Sequence, residues 1–352
     1  GSLRYRPLSG TASGSVQKST GGSALIITQT PYRVSFAGGG TDLPAFYQHD
    51  YGAVLSMGVA QHMYVTVSPR FEKTTRMAYT RVEIADGIDK LDHTIAREAL
   101  RMTELGEYLE ITTVGDVPAG TGMGSSSSLA VGILNALYAY KGQVTSPSML
   151  AEKACEIEID ILAKPIGRQD QYAAAFGGVN YIRFNPDHSV AVEPVPCDPA
   201  FLADLERHIL LLYTDQQRDA DTILKQQSEG SRDKLSVLKE MRDLAGELRS
   251  TMGGAGSLED FGRILHQGWL LKRSLGFGIS NAGVDTWYER AREKGALGGK
   301  LLGAGGGGFL LVMAPPETHD AIRAACGHPR ELLFRIDRRG SRVIFISDRY
   351  AF

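Results

Sequence analysis

The feature that most constrains this chain is a glycine- and serine-rich stretch, Pro118-Ala-Gly-Thr-Gly-Met-Gly-Ser-Ser-Ser-Ser128, that runs without a break into residues 129–140. That following segment is apolar on nearly every face, which marks a buried helix rather than a surface one. Glycines let backbone N–H groups approach a bound group closely, serines add hydroxyl donors, and the free N–H groups of a helix start carry partial positive charge. Such a loop suits a polyphosphate. It is not a Walker A loop, because G-x-x-x-x-G-K-[ST] occurs nowhere in the chain. The plain alternative is a Gly/Ser linker, but a linker would not lead directly into so apolar a helix.

Around this loop lies an ordinary globular balance: 352 residues, 43% hydrophobic and 22% charged, long enough for two cores. Only glycine stands out, at 41 residues, and its excess is clustered. The formal net charge is −2 and no dense Lys/Arg block could trace a phosphate backbone, which argues against nucleic acid as a partner. The longest apolar runs, residues 209–213 and 309–314, fall far short of the ~20 residues of a spanning helix, so no membrane association is expected. Cys155, Cys197 and Cys326 are far apart, with no C-x-x-C and no H-E-x-x-H, which speaks against a disulfide framework and a zinc site and fits the reducing cytoplasm.

Residues 1–24 are small, polar and without an apolar run, and read as a disordered expression leader. Strands are expected at 24–28, 33–36, 63–68, 76–84, 109–114 and 179–184, with helices at 129–140 and 148–163. After a short buried strand at 209–213 the composition turns to long amphipathic helices at 232–252, 258–275 and 283–294. A strand at 309–313, a helix at 317–326 and strands at 331–336 and 341–347 close the chain. The pattern predicts two α+β domains, 25–204 and 205–352.

Four further segments carry chemistry. On a helix turning 100° per residue, Glu158 sits with Ala151, Ala154, Cys155, Ile161 and Leu162 within roughly 60°, while Glu152, Glu156 and Asp160 lie more than about 110° away. A carboxylate alone on an apolar face needs a cation or several donors: Mg²⁺ bound to phosphates, with a loop serine as the second ligand, is one reading, and a structural Arg the other. Next, Lys164-Pro-Ile-Gly-Arg-Gln-Asp-Gln171 breaks that helix and either presents Asp170 to a pocket or uses it as a helix N-cap. In Pro31-Tyr-Arg-Val-Ser-Phe-Ala-Gly-Gly-Gly-Thr-Asp42, the G-x-G-x-x-G dinucleotide fingerprint is missing. A sugar-sized polar pocket is the other reading, with Asp42 accepting from hydroxyls and Arg33 at the reacting centre. Lys300-Leu-Leu-Gly-Ala-Gly-Gly-Gly-Gly-Phe309 is either a ligand-contacting turn or a tight packing turn.

Together these segments resemble the galactokinase, homoserine kinase, mevalonate kinase and phosphomevalonate kinase (GHMP) superfamily, whose three motifs recur here in order across residues 31–311. Residues 118–128 match its P-x-G-x-G-x-G-S-S loop and residues 300–308 its K-L-x-G-A-G-x-G-G motif. The resemblance implies an N-terminal domain like the second domain of ribosomal protein S5, followed by a ferredoxin-like domain. It implies ATP at Pro118, Gly120, Gly122, Met123, Gly124, Ser125, Ser126 and Ser127, Mg²⁺ on Ser126 and Glu158, and catalysis by Asp170 with Arg33. Substrate would meet Gly39, Gly40, Thr41, Asp42, Gln171, Gly305 and Gly306.

Where galactokinases carry G-E-H-T-D, this chain has Gly38-Gly-Gly-Thr-Asp42, which removes two sugar-contacting side chains and leaves room for a bulkier substrate. With Gly167-Arg-Gln-Asp-Gln171 and Gly298-Gly-Lys-Leu-Leu-Gly-Ala-Gly305, this form is most similar to the D-glycero-D-manno-heptose 7-phosphate kinases, and fucose kinase domains share much of it. The resemblance implies an ATP-dependent sugar kinase acting on the anomeric hydroxyl of heptose 7-phosphate, for nucleotide-activated heptose and surface polysaccharide. A kinase of unphosphorylated mannose or fucose, a non-catalytic sugar sensor on the same fold, and an ATP-dependent decarboxylase are the rivals. Lys164, Arg168, Arg183, Lys272 and Arg273 are candidates for the substrate's remote phosphate, and a homo-oligomer stays open.

Overall fold

In a computed structural model, which describes residues 24–106, 108–216, 234–276 and 278–347, two sheets carry helices on their faces. The expected leader lies outside the described residues except for Ala24. Strands β1 (Ile26–Ala37) and β2 (Gly52–Pro69) pair antiparallel over most of their length, with the single turn α1 (Pro44–Tyr47) between them. The two strands expected at 24–28 and 33–36 are thus one. Pro31 falls at a shift in the β1–β2 register, where a residue without an N–H interrupts the ladder least. The segment expected as one strand at 76–84 is a hairpin of β3 (Thr75–Ala78) and β4 (Val82–Ala85).

After α2 (Thr94–Met102) and β5 (Leu109–Gly115) comes α3 (Ser125–Tyr140), which begins inside the serine run. Its residues from Ala130 to Tyr138 are buried without interruption. Next, α4 (Pro147–Cys155) widens into a π-type segment at Glu156–Ile161. The N-terminal half is completed by α5 (Gln169–Phe176), β6 (Val179–Phe184), β7 (Val190–Pro194) and α6 (Pro199–His208). Beyond it lie β8 (Ile209–Tyr213), α7 (Leu235–Ser250), α8 (Leu258–Ser274), α9 (Ala282–Glu293), β9 (Gly298–Leu301) and β10 (Phe309–Met313). The last elements are α10 (His319–Ala325), β11 (Glu331–Leu332) and β12 (Arg342–Ile346).

The first sheet runs β12-β1-β2-β5-β3-β4, with β6 also on β2 and β7 on β6; the second runs β11-β8-β10-β9. The closing segment departs from the expected division at residue 205, since β12 pairs with β1 and belongs to the N-terminal sheet. That pairing covers the otherwise open edge of β1. It is secured by Asp337, whose Oδ2 lies 2.7 Å from His62 Nε2 on β2.

One face of the first sheet packs under α2, α3, α4 and α5. The other face presents Tyr32, Val34, Phe36, Leu55 and Met57 to Leu244, Leu248, Phe261 and Leu265 of the C-terminal helices. Phe36 and Phe261 meet edge-to-face at 5.1 Å. A shared apolar core of this kind fixes the two halves against one another, and with them the cleft between. Among the described residues, no helix is long and apolar enough to cross a membrane.

Candidate active site

The cleft is lined from both halves: Arg33 and Ser35 on β1, the 39–42 loop, Ser125–Ser127 at the start of α3, the first turn of α5, Lys272 on α8 and Lys300 on β9. At its centre Arg33 grips Asp170 with two parallel bonds, Nε to Oδ1 and Nη2 to Oδ2, both 2.7 Å. The third arm, Nη1, donates to Gly122 O at 2.6 Å, and the Arg33 backbone N–H donates to Met123 O at 3.1 Å. One arginine therefore locks the Asp170 carboxylate to the glycine loop. Asp170 is in the first turn of α5 behind Arg168, so it is not the N-cap.

Glu158 is buried to 0% exposure, as its place on the apolar face predicts. Ile161, expected on the same face, is 48% exposed, because the π-type turn advances less than 100° per residue and rotates it outward. The carboxylate accepts from Ser126 Oγ (2.6 Å), Ser127 Oγ (2.7 Å), Gln171 Nε2 (2.7 Å) and Lys164 Nζ (3.1 Å). Its cation is thus a lysine, not an arginine. Ala163 takes a left-handed φ of 51°, and the Lys164 N–H returns to Glu158 O at 3.0 Å, which folds the lysine back onto the carboxylate. The ammonium also meets Ser126 Oγ at 2.8 Å, so it sits against both oxygens expected to hold a metal.

On the far side of Arg33, Asp42 is buried and accepts from Gly40 N (3.0 Å), Gln169 Nε2 (3.0 Å) and Gln169 N (3.3 Å). Burial, then the charge of Asp170, push its carboxyl above the usual range, against the pull of these backbone donors. Gly167 is obligatory here, since a Cβ would stand 1.9 Å from Asp42 Oδ2. Gln169 Oε1 and Ser35 Oγ are buried without a partner among the described residues. Lys272 Nζ donates to Gly303 O, and Lys300 Nζ donates to Ser35 O at 2.6 Å.

Several expected site residues serve the frame instead. Thr41 is buried and donates to Gly38 O and Ala53 O, fastening the turn rather than facing the cleft. Gln171 holds Glu158 and Met123 is in the core, whereas Pro118 is exposed, its carbonyl accepting from Thr121 Oγ1. Gly305 and Gly306 lie against Ile279, with Gly306 N donating to Ile279 O at 3.0 Å, while Gly303 and Ala304 line the cleft in their place. The 300–308 turn is therefore largely a packing turn: Gly122 and Gly303 approach so closely that a Cβ on Gly303 would lie 2.5 Å from Gly122 Cα. Of the remote-phosphate candidates, Lys164 and Lys272 reach the cleft. Arg183 stacks on Tyr51 at 4.2 Å, Arg273 pairs with Asp285 and Arg168 donates to His188 O. Ser35, Gln169 and Lys300 also line the cleft but carry no signal of their own in the sequence: the two polar residues are flanked by stronger signals, Arg33 and Asp170, and Lys300 heads a motif dominated by its glycines.

A second, mostly apolar hollow adjoins the serine run, lined by Met63, His93, Ile95, Val117, Leu129 and Ser126. Burial lowers the His93 imidazole from its ordinary range, and its Nδ1 accepts from Ala96 N at 3.2 Å.

The chain matches the model for the GHMP kinases N-terminal domain over residues 93–178 and that for the GHMP kinases C-terminal domain over residues 245–329. It is 30% identical to D-glycero-alpha-D-manno-heptose 7-phosphate kinase of Campylobacter jejuni, over 85% of this chain and 92% of that protein. It is 27% identical to the bifunctional fucokinase/GDP-fucose pyrophosphorylase of Arabidopsis thaliana, over 81% of this chain and 29% of that longer protein. In fold it is similar to a D-glycero-D-manno-heptose 1-phosphate kinase from Bacteroides thetaiotaomicron, with TM-score 0.76 and 23% identity over 92% of this chain and 100% of that one.

Proposed function

The chain belongs to the GHMP kinase family, and from that premise we propose that it phosphorylates the anomeric hydroxyl of D-glycero-D-manno-heptose 7-phosphate. As a member it is a phosphotransferase acting on a sugar hydroxyl with ATP as donor. The product would be the 1,7-bisphosphate, on the way to nucleotide-activated heptose for a surface polysaccharide, in the cytoplasm. The observation that carries the reading is the Arg33–Asp170 pair, set between the glycine loop on one side and the Gly39–Asp42 loop on the other.

Each residue then has a task. The backbone N–H groups around Gly122–Ser127 and the start of α3 hold the triphosphate, and the adjoining hollow around Met63, Ile95 and Leu129 takes the apolar faces of the base. Asp170 accepts the anomeric O–H through the lone pairs that Arg33 leaves free, fixing the oxygen for in-line attack. Arg33 steadies negative charge that builds on the transferring group. Asp42 and Gln169 accept from the sugar's other hydroxyls.

Ser126 Oγ and Glu158 Oε1, 2.6 Å apart, are hard oxygen donors that would hold Mg²⁺ in place of the Lys164 ammonium that now contacts both. The ion, when bound, would neutralise charge on the β- and γ-phosphates. The test is an ATP-consumption screen against heptose 7-phosphate, mannose, fucose, galactose and mevalonate, with product mass. Turnover with heptose 7-phosphate and one added phosphate supports the proposal; turnover only with an unphosphorylated sugar overturns the substrate and keeps the kinase.

A further inference from the structure

We propose that Lys272, Lys300 and the Ser35 hydroxyl form an anion subsite for the phosphate at the far end of the sugar, an inference that rests on the sugar-phosphate reading above. Three observations converge. Both lysines are buried, at 5% and 6% exposure, yet both line the cleft. A buried ammonium normally finds a carboxylate partner, because an isolated buried charge costs several kcal/mol. Among the described residues neither has one: Lys272 donates to Gly303 O, and Lys300 donates to Ser35 O and Phe36 O. Each ammonium carries three donors, so two on Lys272 and one on Lys300 stay free for a ligand. Beside them Ser35 Oγ is buried with no hydrogen-bond partner among the described residues.

This cluster of donors lacks only an acceptor. Arg33 adds to the positive field, and Asp42 is the charge nearby that opposes it. A dianionic phosphate would satisfy the free N–H and O–H donors together and favour the ammonium form of both lysines, which burial and the neighbouring cations pull down. Burial and Arg33 draw the Lys272 ammonium down to about 8, the behaviour of a cation waiting for a counter-charge.

The nucleotide's terminal phosphate is the other source of such an anion, and the direction of β1 argues against it. Arg33 bonds the glycine loop through its backbone N–H to Met123 O, while Ser35 lies two residues further toward the Gly39–Asp42 loop. At ~3.3 Å per residue that sets Ser35, and Lys300 bonded to its carbonyl, about 7 Å along the strand toward the sugar's loop. Lys272, held on Gly303 O where Gly303 packs against Gly122, spans from there back to the glycine loop.

Calorimetry on the full chain without nucleotide tests this, using heptose 7-phosphate and D-mannose as ligands and the parent, Lys272→Met, Lys272→Arg and Ser35→Ala as proteins. MgATP affinity is measured in parallel and folding is checked by thermal unfolding. Lys272→Met should weaken heptose 7-phosphate by ~10-fold or more, the scale of a charge-assisted hydrogen bond, and change mannose by less than about threefold. Lys272→Arg should recover part of the loss, and Ser35→Ala should cost a few fold. A parent that binds both sugars equally overturns the sugar-phosphate reading and the subsite together. A parent that discriminates while all three variants discriminate equally well overturns the subsite alone. Loss confined to MgATP gives the cations to the nucleotide and also overturns it. Should Lys272→Met fail to fold, Ser35→Ala decides by itself, an unchanged affinity counting against the subsite.

Discussion

Arg33 and Asp170, 137 residues apart in the chain, meet in a two-point ion pair whose contacts are both 2.7 Å. Strand β1 supplies one partner and the first turn of α5 the other, so the pair is fixed by the packing of α5 against the first sheet. A planar guanidinium can hold both oxygens and still reach Gly122 O, which a lysine ammonium could not do in the same geometry.

Asp170→Asn keeps the shape of the side chain but removes the charge that orients the hydroxyl. We expect kcat to fall by ~10² or more, the usual scale for a positioned acid–base group, while MgATP binding stays within a few fold. Steady-state kinetics with parallel nucleotide titration checks this, and near-normal turnover would remove Asp170 from catalysis.

Glu158→Gln leaves an amide among four donors. Its own N–H₂ must then face a hydroxyl, the Gln171 amide or the Lys164 ammonium, and a buried partner is lost. Breaking a buried pair of this kind costs about 3 kcal/mol, read by urea unfolding. The Mg²⁺ concentration for half-maximal activity should rise as well. Superimposable Mg²⁺ titrations of variant and parent would mean that Glu158 serves packing and the lysine only.

Much of this site is legible in the sequence, and the reasons for the remainder are physical. Glu158 could be placed because period alone exposes a carboxylate on an apolar face, and its 0% exposure agrees. Its partner could not, since Lys164 returns only through the left-handed Ala163, a conformation without a composition signal. Thr41 and Gln171 sit in the right motifs with their side chains turned to the frame, a distinction that depends on which face of a turn is buried. Strand β2 was visible only in its second half; Gly52–Val59 is buried throughout and so lacks the alternation that betrays a strand. The pairing of β12 with β1 is non-local, and no local pattern encodes it.

Gly39 gives a cleaner handle on substrate size than its neighbours. Its φ is not left-handed, and the nearest atom to an added Cβ is Gln169 Nε2 at 3.9 Å, so Gly39→Glu can be built without straining the loop. The carboxylate would occupy sugar space and repel a substrate phosphate. The kcat/KM for heptose 7-phosphate should fall more than that for mannose by ~10-fold, equivalent to about 1.4 kcal/mol. Equal losses on both sugars would restrict Gly39 to a backbone role.

Lys272 links the site to stability. Burial, followed by the charge of Arg33, lowers its ammonium from 10.5 to about 8. Between those pH values the unfolded chain holds one more proton than the folded chain, so this group's contribution to stability rises with pH across that window and its full cost is felt below about 8. Lys272→Met removes the cost. Without ligand the variant should be more stable than the parent at pH 7 by about 1–3 kcal/mol, with the gain shrinking toward pH 10. Urea unfolding at several pH values checks it, and a gain that stays constant with pH would contradict the assignment.

The proposed anomeric transfer is read in ³¹P NMR of the full chain with MgATP and D-glycero-D-manno-heptose 7-phosphate. ATP loss should be matched by one new sugar phosphate signal coupled to the anomeric proton, with the 7-phosphate signal retained. A new phosphate on any other carbon, or release of inorganic phosphate with the sugar unchanged, would contradict it.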